Sequence, residues 1–383
     1  MTAYVIRRTI QIALTLVLFV TVVFFMLQAQ PGDITVQYAL NPDIPPEARE
    51  SIQERFGLGK PVWEQWALYM KNIVTGDLGV SFGQYPRPVT DILLERLPRT
   101  LMLFMTAAVI SFYLGFVMGK ILAWRRGGIT EYVSTIGGVA LYTVFTPWFA
   151  LLIIWLFAVQ LDLFPVGKFI DVSLWRTQSV RANTIFNGML ISVASLSVFL
   201  LMVYALATKL KSAWKGKIVR GIAVGSLGIM VLAWSLSGVG HLAFDIIKHM
   251  VLPVLVLTLI SFAGTMLLTR SAMLESIRED YIMAARAKGL PESVIRDKHA
   301  ARNALLPVVT SLVFSLAFAI DGGVITESIF SWPGIGLTLL DSVTEEDIPL
   351  AVGALVITGI FALVAHLVAD ILYVYLDPRI RYQ

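Results

Sequence analysis

Cysteine is absent from this 383-residue sequence. Disulfides, thiolate-bound zinc, iron–sulfur clusters and thiol catalysis are therefore excluded within the chain. Histidine is scarce, at positions 241, 249, 299 and 366, and no H-E-x-x-H pair occurs. No G-x-x-x-x-G-K-[ST] loop is present either, so the chain has no phosphate cradle of that kind for ATP. Charge is thin as well. Only 15% of residues are charged, against about 25% in a soluble domain.

What fills the space is apolar. Hydrophobic residues make up 57% of the chain, in runs near or above the ~20 residues that cross a bilayer as helix. Strand-length alternation of the β-barrel kind is missing. The composition points to an all-α polytopic membrane protein. Spans are expected at 9–29, 100–123, 132–159, 186–208, 221–243, 249–269, 308–326 and 349–375. The first run is too long for a signal-peptide core and is expected to stay as an uncleaved span.

Basic residues set the orientation. Arg7 and Arg8, then Lys120, Arg125 and Arg126, then Lys209, Lys211, Lys215, Lys217 and Arg220, then Arg379 and Arg381 mark one side. The loop with Glu327, Asp341, Glu345, Glu346 and Asp347 carries no basic residue. Eight spans with both termini in the cytoplasm satisfy all of these. The polar segment 31–98 then lies outside. It should hold two short helices, the second over "PVWEQWALYMKNIVTG" with Gly76 as a left-handed cap. Val62, Trp66, Tyr69, Met70 and Ile73 share one face of it, to be buried on the chain's own spans or on a partner.

Ionisable residues within spans are functional candidates by default. His366 and Asp370 lie four apart and form a local ion pair or a relay. Asp321 and Glu327 line a path or cap helix ends. Gly115 with Gly119, and Gly221 with Gly225, are G-x-x-x-G pairs that permit close helix approach.

The densest mixed charge falls in "SIREDYIMAARAKGLPESVIRDKHAARNALLPVV", residues 276–309. A helix from about Arg270 to Lys288 is expected, stopping at Gly289 with Pro291 beyond. Tyr281, Ile282, Ala284 and Ala285 would give it an apolar surface suited to a partner's groove.

Ala284-Ala285, Gly289 and Leu306-Pro307 resemble the "EAA" loop of ABC-importer permeases in the peptide/nickel branch, with Met283 where the loop's name has glutamate. "FGLGKPVWEQW", "GDLGVSF", "ERLPRTL", "LFPVG", "ESIFSWPGIG" and "LDPRIRY" resemble that branch's B-type subunit, in the same order.

The resemblance implies a type I importer fold with six core spans. Its domains would be the first span (1–30), the external segment (31–98), spans two and three (99–168), an inserted two-helix hairpin (169–247), and the remaining core (248–383). The coupling loop would be 270–307. The docking element would comprise Asp280, Tyr281, Ala284, Ala285, Arg286, Lys288, Gly289 and Leu290. Ala284, Ala285 and Gly289 would make the closest approach. Implied partners are a homologous C-type permease, two ABC ATPase subunits or domains, an external solute-binding protein and lipid, with no nucleic acid. The chain itself would hold no cofactor or metal and would not be an enzyme, since ATP and magnesium would sit on the ATPases. Di- or oligopeptides are the implied cargo, with oligosaccharides or nickel chelates as alternatives. An ion-coupled secondary transporter using His366 and Asp370 is the competing class, and a membrane enzyme or receptor a third.

Overall fold

The computed structural model describes residues 2–29, 57, 59–125, 127–208, 215–318 and 323–376. The first expected external helix, Asp321, and the C-terminal Arg379 and Arg381 lie outside the described residues. Those residues fold as helices with no strand, only an isolated bridge between Val80 and Pro88.

The helices are α1 (Thr2–Gln28), α2 (Val62–Thr75), α3 (Val89–Trp124), α4 (Ile129–Thr143), α5 (Thr146–Ile154, continued by a π turn to Gln160), α6 (Ala182–Thr208) and α7 (Lys215–Leu236). After them come α8 (Gly240–Ser276), α9 (Asp280–Ala287), α10 (Ala301–Phe318), α11 (Val324–Ile329), α12 (Ile335–Thr344) and α13 (Ile348–Leu376). Six are single helices long and apolar enough to cross a membrane: α1, α3, α6, α7, α8 and α13.

Two expected spans take another form. The run 132–159 is a helix pair, α4 and α5, bent by 105°. Pro147 cannot donate the amide that would bond Thr143, and Val144 is extended, with φ −64° and ψ 141°. The run 308–326 is divided between α10 and α11. Gly323, just before α11, is non-helical, with φ −115° and ψ 86°.

The chain forms two compact units, 1–153 with 253–383, and 154–252. In the first, the apolar face of α2 meets the chain's own spans. Tyr69 packs with Val20, Val23 and Phe24 of α1 and with Val352 and Val356 of α13, and Trp66, Met70 and Ile73 flank them. Val62 departs from that face and is exposed, as are Trp63 and Val74. Gly76 has φ 75° and caps α2 as expected. A second cluster joins Val89, Ile92, Leu93 and Leu97 of α3 to Ile335 of α12 and to Leu350 and Ala354 of α13.

One glycine pair does what its spacing allows. A Cβ on Gly115 would stand 2.6 Å from Thr265 Cβ, and one on Gly119 would stand 2.6 Å from Thr269 Cβ. Helices α3 and α8 thus cross nearly backbone to backbone. Gly221 and Gly225 face open space instead. The first turn of α4 is tied to α8 by Glu131, whose Oε1 accepts from Arg270 Nε at 3.0 Å.

The second unit contains the hairpin α6–α7. Gly188 lies against the Trp234 ring, and Trp234 Nε1 donates to Ser192 Oγ at 3.2 Å. Asp245 organises the polar end of this unit. Its carboxylate accepts from the Asp171 amide at 3.0 Å and from Trp175 Nε1 at 2.8 Å. The expected insertion, 169–247, falls within this unit, which begins earlier, at Ile154.

Candidate functional site

Helix α8 ends at Ser276, so the expected continuous helix from Arg270 to Lys288 is two helices. The amides of Ile277, Arg278 and Glu279 bond back to Met273, Glu275 and Ser276, and Glu279 is extended. The chain then re-enters helix as α9. At its far end Gly289 takes φ 71°. Its amide bonds the Arg286 carbonyl at 2.9 Å, and the Leu290 amide reaches the Ala285 carbonyl at 3.4 Å. This is a Schellman cap, whose left-handed residue favours glycine.

The two faces of α9 have different environments. Ile282 (1% exposed) and Ala285 (5% exposed) pack with Met273, Ile295, Ala300, Ala301 and Ala304. Tyr281 and Leu290 border this cluster. The Tyr281 hydroxyl lies 2.6 Å from Ser276 Oγ, and Ser276 Oγ donates to the Ala300 carbonyl at 3.2 Å. The expected apolar surface is therefore split. Tyr281, Ile282 and Ala285 face the chain's own core, so Ala285 is not the point of closest approach to a partner. The reason is helical period: 281, 282, 285 and then Leu290 fall on one side, and 280, 283, 284 and 287 on the other.

That other side is open. Asp280, Met283, Ala284 and Ala287 are exposed, with Met283 at 66%. Arg286, Lys288 and Gly289 are exposed beside them. Arg286 Nε donates to Glu292 Oε1 at 3.1 Å and its guanidinium lies 6.0 Å from the Trp124 ring. Below, Arg296 holds Asp297, and Lys120 of α3 pairs with the same carboxylate at 2.9 Å. The Arg296 hydrogen bond and the Lys120 contact hold the Asp297 carboxyl well below the usual range. Met283 was visible in the sequence only as a departure from a motif. Its role as the apolar centre of the open face needed the helical register.

Glu327 is central to a different structure. It is fully buried, at 0% exposure. Its Oε1 accepts from the Thr100 hydroxyl at 2.7 Å and its Oε2 from the Leu337 amide at 2.9 Å. Thr100 Oγ1 in turn accepts from the Ile335 amide at 2.8 Å. Burial raises the Glu327 pKa, and the Leu337 and Thr100 donors oppose that rise. Gly334 and Gly336 allow this close approach, since a Cβ on Gly336 would lie 3.1 Å from Glu327 Oε2. Buried Trp332 donates from Nε1 to the Arg99 carbonyl at 3.3 Å. The carboxylate thus fastens "ERLPRTL" to "ESIFSWPGIG", and serves as an organiser of the loop rather than a path-lining charge.

Asp370 takes Arg8 of α1 as a partner at 2.9 Å, and His366 Nδ1 bonds the Ala362 carbonyl. Gly79 to Gly83 also spells G-x-S-x-G, the string of a nucleophile elbow. No strand leads into it, and Ser81 is buried, with its hydroxyl bonded to the Asp347 carboxylate. The Gly83 amide bonds the same Oδ2 at 3.1 Å. This is a loop fastening and not a nucleophile.

Helices long and apolar enough to cross a membrane, and a short helix with one open face, describe a membrane protein with a surface left for a partner. The comparisons give the family. Residues 111–382 match the family described as binding-protein-dependent transport system inner membrane component, and residues 1–106 match the N-terminal region of such membrane components. The chain belongs to this family. It is 30% identical to the oligopeptide transport system permease protein of Bacillus subtilis strain 168, over the whole of both chains. It is 31% identical to a dipeptide transport system permease protein of Alkalihalophilus pseudofirmus, and 30% identical to that of Escherichia coli K12, again over both full lengths.

Proposed function

We propose that this chain is one permease subunit of an ATP-driven importer that carries di- or oligopeptides across the cell membrane. The observation that carries this reading is the open face of α9. Met283 stands there beside Ala284 and Ala287, on a helix whose opposite face is anchored in the chain's own core. A rigid, small-residue helix end of this kind suits a groove on a cytoplasmic ATPase. ATP and magnesium would act on two such ATPase subunits or domains. Closure of that pair would displace α9 and, with it, the adjoining end of α8.

A homologous C-type permease would complete the path, and an external solute-binding protein would deliver the cargo. Both termini would lie in the cytoplasm, as the lysine and arginine distribution demands. The described outer residues 57–98, with exposed Trp63 and Val74, would receive the binding protein. The hairpin α6–α7 would be an addition to the six-span core, facing lipid with Ile191, Leu201 and Ile229. Peptide cargo is supported by the relatives, which are oligopeptide and dipeptide transport permeases.

Proteoliposomes holding the complete complex test the proposal. Uptake of a labelled peptide should require ATP, the ATPases and the binding protein, and native mass spectrometry should find one copy of this chain per complex. Peptide uptake driven by an ion gradient without the ATPases would overturn the mechanism. ATP-driven uptake of an oligosaccharide or a nickel chelate, with none of peptide, would overturn the cargo.

A further inference from the structure

A cleft of about 270 Å³ opens within the first unit between α3, α8 and α10. Its wall is built at helical spacing. Phe104, Ser111 and Phe112 come from one face of α3, Ser261 and Thr265 from α8, and Ser315 from α10. Alanine and leucine side chains fill the gaps between them. None of the described lining residues is ionisable. At one end the Phe104 ring packs on Gly323, and at the other the glycine crossing brings Gly115 against Thr265.

We propose that this cleft is the chain's wall of the translocation path, and that it accepts a peptide in transit through hydroxyls and rings, without selecting charge. The inference rests on the importer reading above and specifies its route. Ser261 and Ser315 are exposed within largely apolar stretches of α8 and α10. With Ser111 and Thr265 they bring hydroxyls from three helices to one opening, where water in a route would solvate them together. Ser315 Oγ already donates to the Ser311 carbonyl at 2.9 Å, which leaves its lone pairs open to an incoming N–H. Hydroxyls both donate and accept, so they match the two constant groups of any peptide backbone. Ring faces accommodate side chains of differing polarity. Carboxylates or imidazoles would instead favour cations or metal chelates, and the described lining residues include neither.

The absence of cysteine makes the test direct. Ser261→Cys and Ser315→Cys are near-isosteric, and Ser197→Cys on exposed α6 is the lipid-facing control. The complete complex carrying each variant is treated with a bulky, membrane-impermeant thiosulfonate applied from both sides. Modification of this chain is read by intact mass, and treated wild-type complex corrects for partner cysteines. Before treatment Ser197→Cys should transport peptide like wild type, and each Ser261→Cys and Ser315→Cys complex is compared with its own untreated uptake. Positions 261 and 315 should label much faster than 197, and labelled complexes should lose most peptide uptake while keeping binding-protein-stimulated ATP hydrolysis. Labelling no faster than at 197, or wild-type uptake by fully labelled complexes, overturns the cleft as the path. If wild-type complex moves another solute and no peptide, yet labelling at 261 and 315 blocks that solute, the route stands and the peptide reading fails.

Discussion

The Thr100 hydroxyl donates to Glu327 Oε1 at 2.7 Å while accepting from the Ile335 amide at 2.8 Å. Two segments more than 200 residues apart, α3 and the stretch 327–336, are joined twice at this one side chain. Replacing the carboxylate removes the acceptor for both Thr100 and the Leu337 amide. Glu327→Ala should lower stability by roughly 1–3 kcal/mol for each donor left unpaired. Glu327→Gln keeps an acceptor and should be milder. Thermal unfolding of the detergent-solubilised complex orders the two variants. Equal stability of Glu327→Ala and wild type would remove the organising role.

Gly289 sits at φ 71°, with nothing within 4 Å of where a Cβ would be. The expected penalty of Gly289→Val is thus conformational, about 1–2 kcal/mol for a β-branched residue in the left-handed region. Valine there should unwind the cap, shift α9 and reduce ATPase co-purification and peptide uptake. Membrane insertion should persist. Lys288→Arg keeps the exposed charge and should behave as wild type. Normal uptake by Gly289→Val would exclude a coupling role.

The two faces of α9 make opposite forecasts. Ile282→Asp places a charge in the cluster with Met273 and Ile295 and should destabilise the loop itself, seen as proteolysis within 276–309. Met283→Asp, on the open face, should leave proteolytic resistance intact and weaken ATPase association. Pull-down of the ATPases with each variant, alongside limited proteolysis, separates the cases. Unchanged association for Met283→Asp would remove that face from the interface.

Gly115→Leu forces side-chain atoms into the space held by Thr265. Overpacking of this kind costs typically about 1–3 kcal/mol. Expression and thermal stability should fall, whereas Gly221→Ala and Gly225→Ala, in open space, should be silent. Matched stability across the three would show that the crossing is loose.

Much of the fold is legible in hydropathy alone, because a bilayer allows a long apolar run little else than helix. The failures fall where backbone chemistry interrupts a run: Pro147 in the third and Gly323 in the seventh. The charged stretch 276–309 is legible as a place but not as a face. Ala284 and Ala285 are identical as letters, and only the register that buries Ile282 assigns one outward and one inward. Glu327 shows the converse limit. An acid at a span's end suggests transport chemistry, and its partners, Thr100 and Leu337, become visible only when the chain is folded.

The Gly115–Thr265 crossing also makes α8 a lever. Two backbones in such close contact cannot slide past each other's side chains readily, but one can tilt against the other. Ser276, next to α9, lies eleven residues beyond Thr265, about 16 Å at 1.5 Å per residue. Leu257, in the cleft, lies eight residues on the opposite side, about 12 Å away. A stiff α8 rocking on this fulcrum would turn a push at its α9 end into a swing of opposite sense at the cleft, with roughly three-quarters of the amplitude. The glycines, by holding the fulcrum in place, would set the gearing between the ATP-driven stroke and the width of the route.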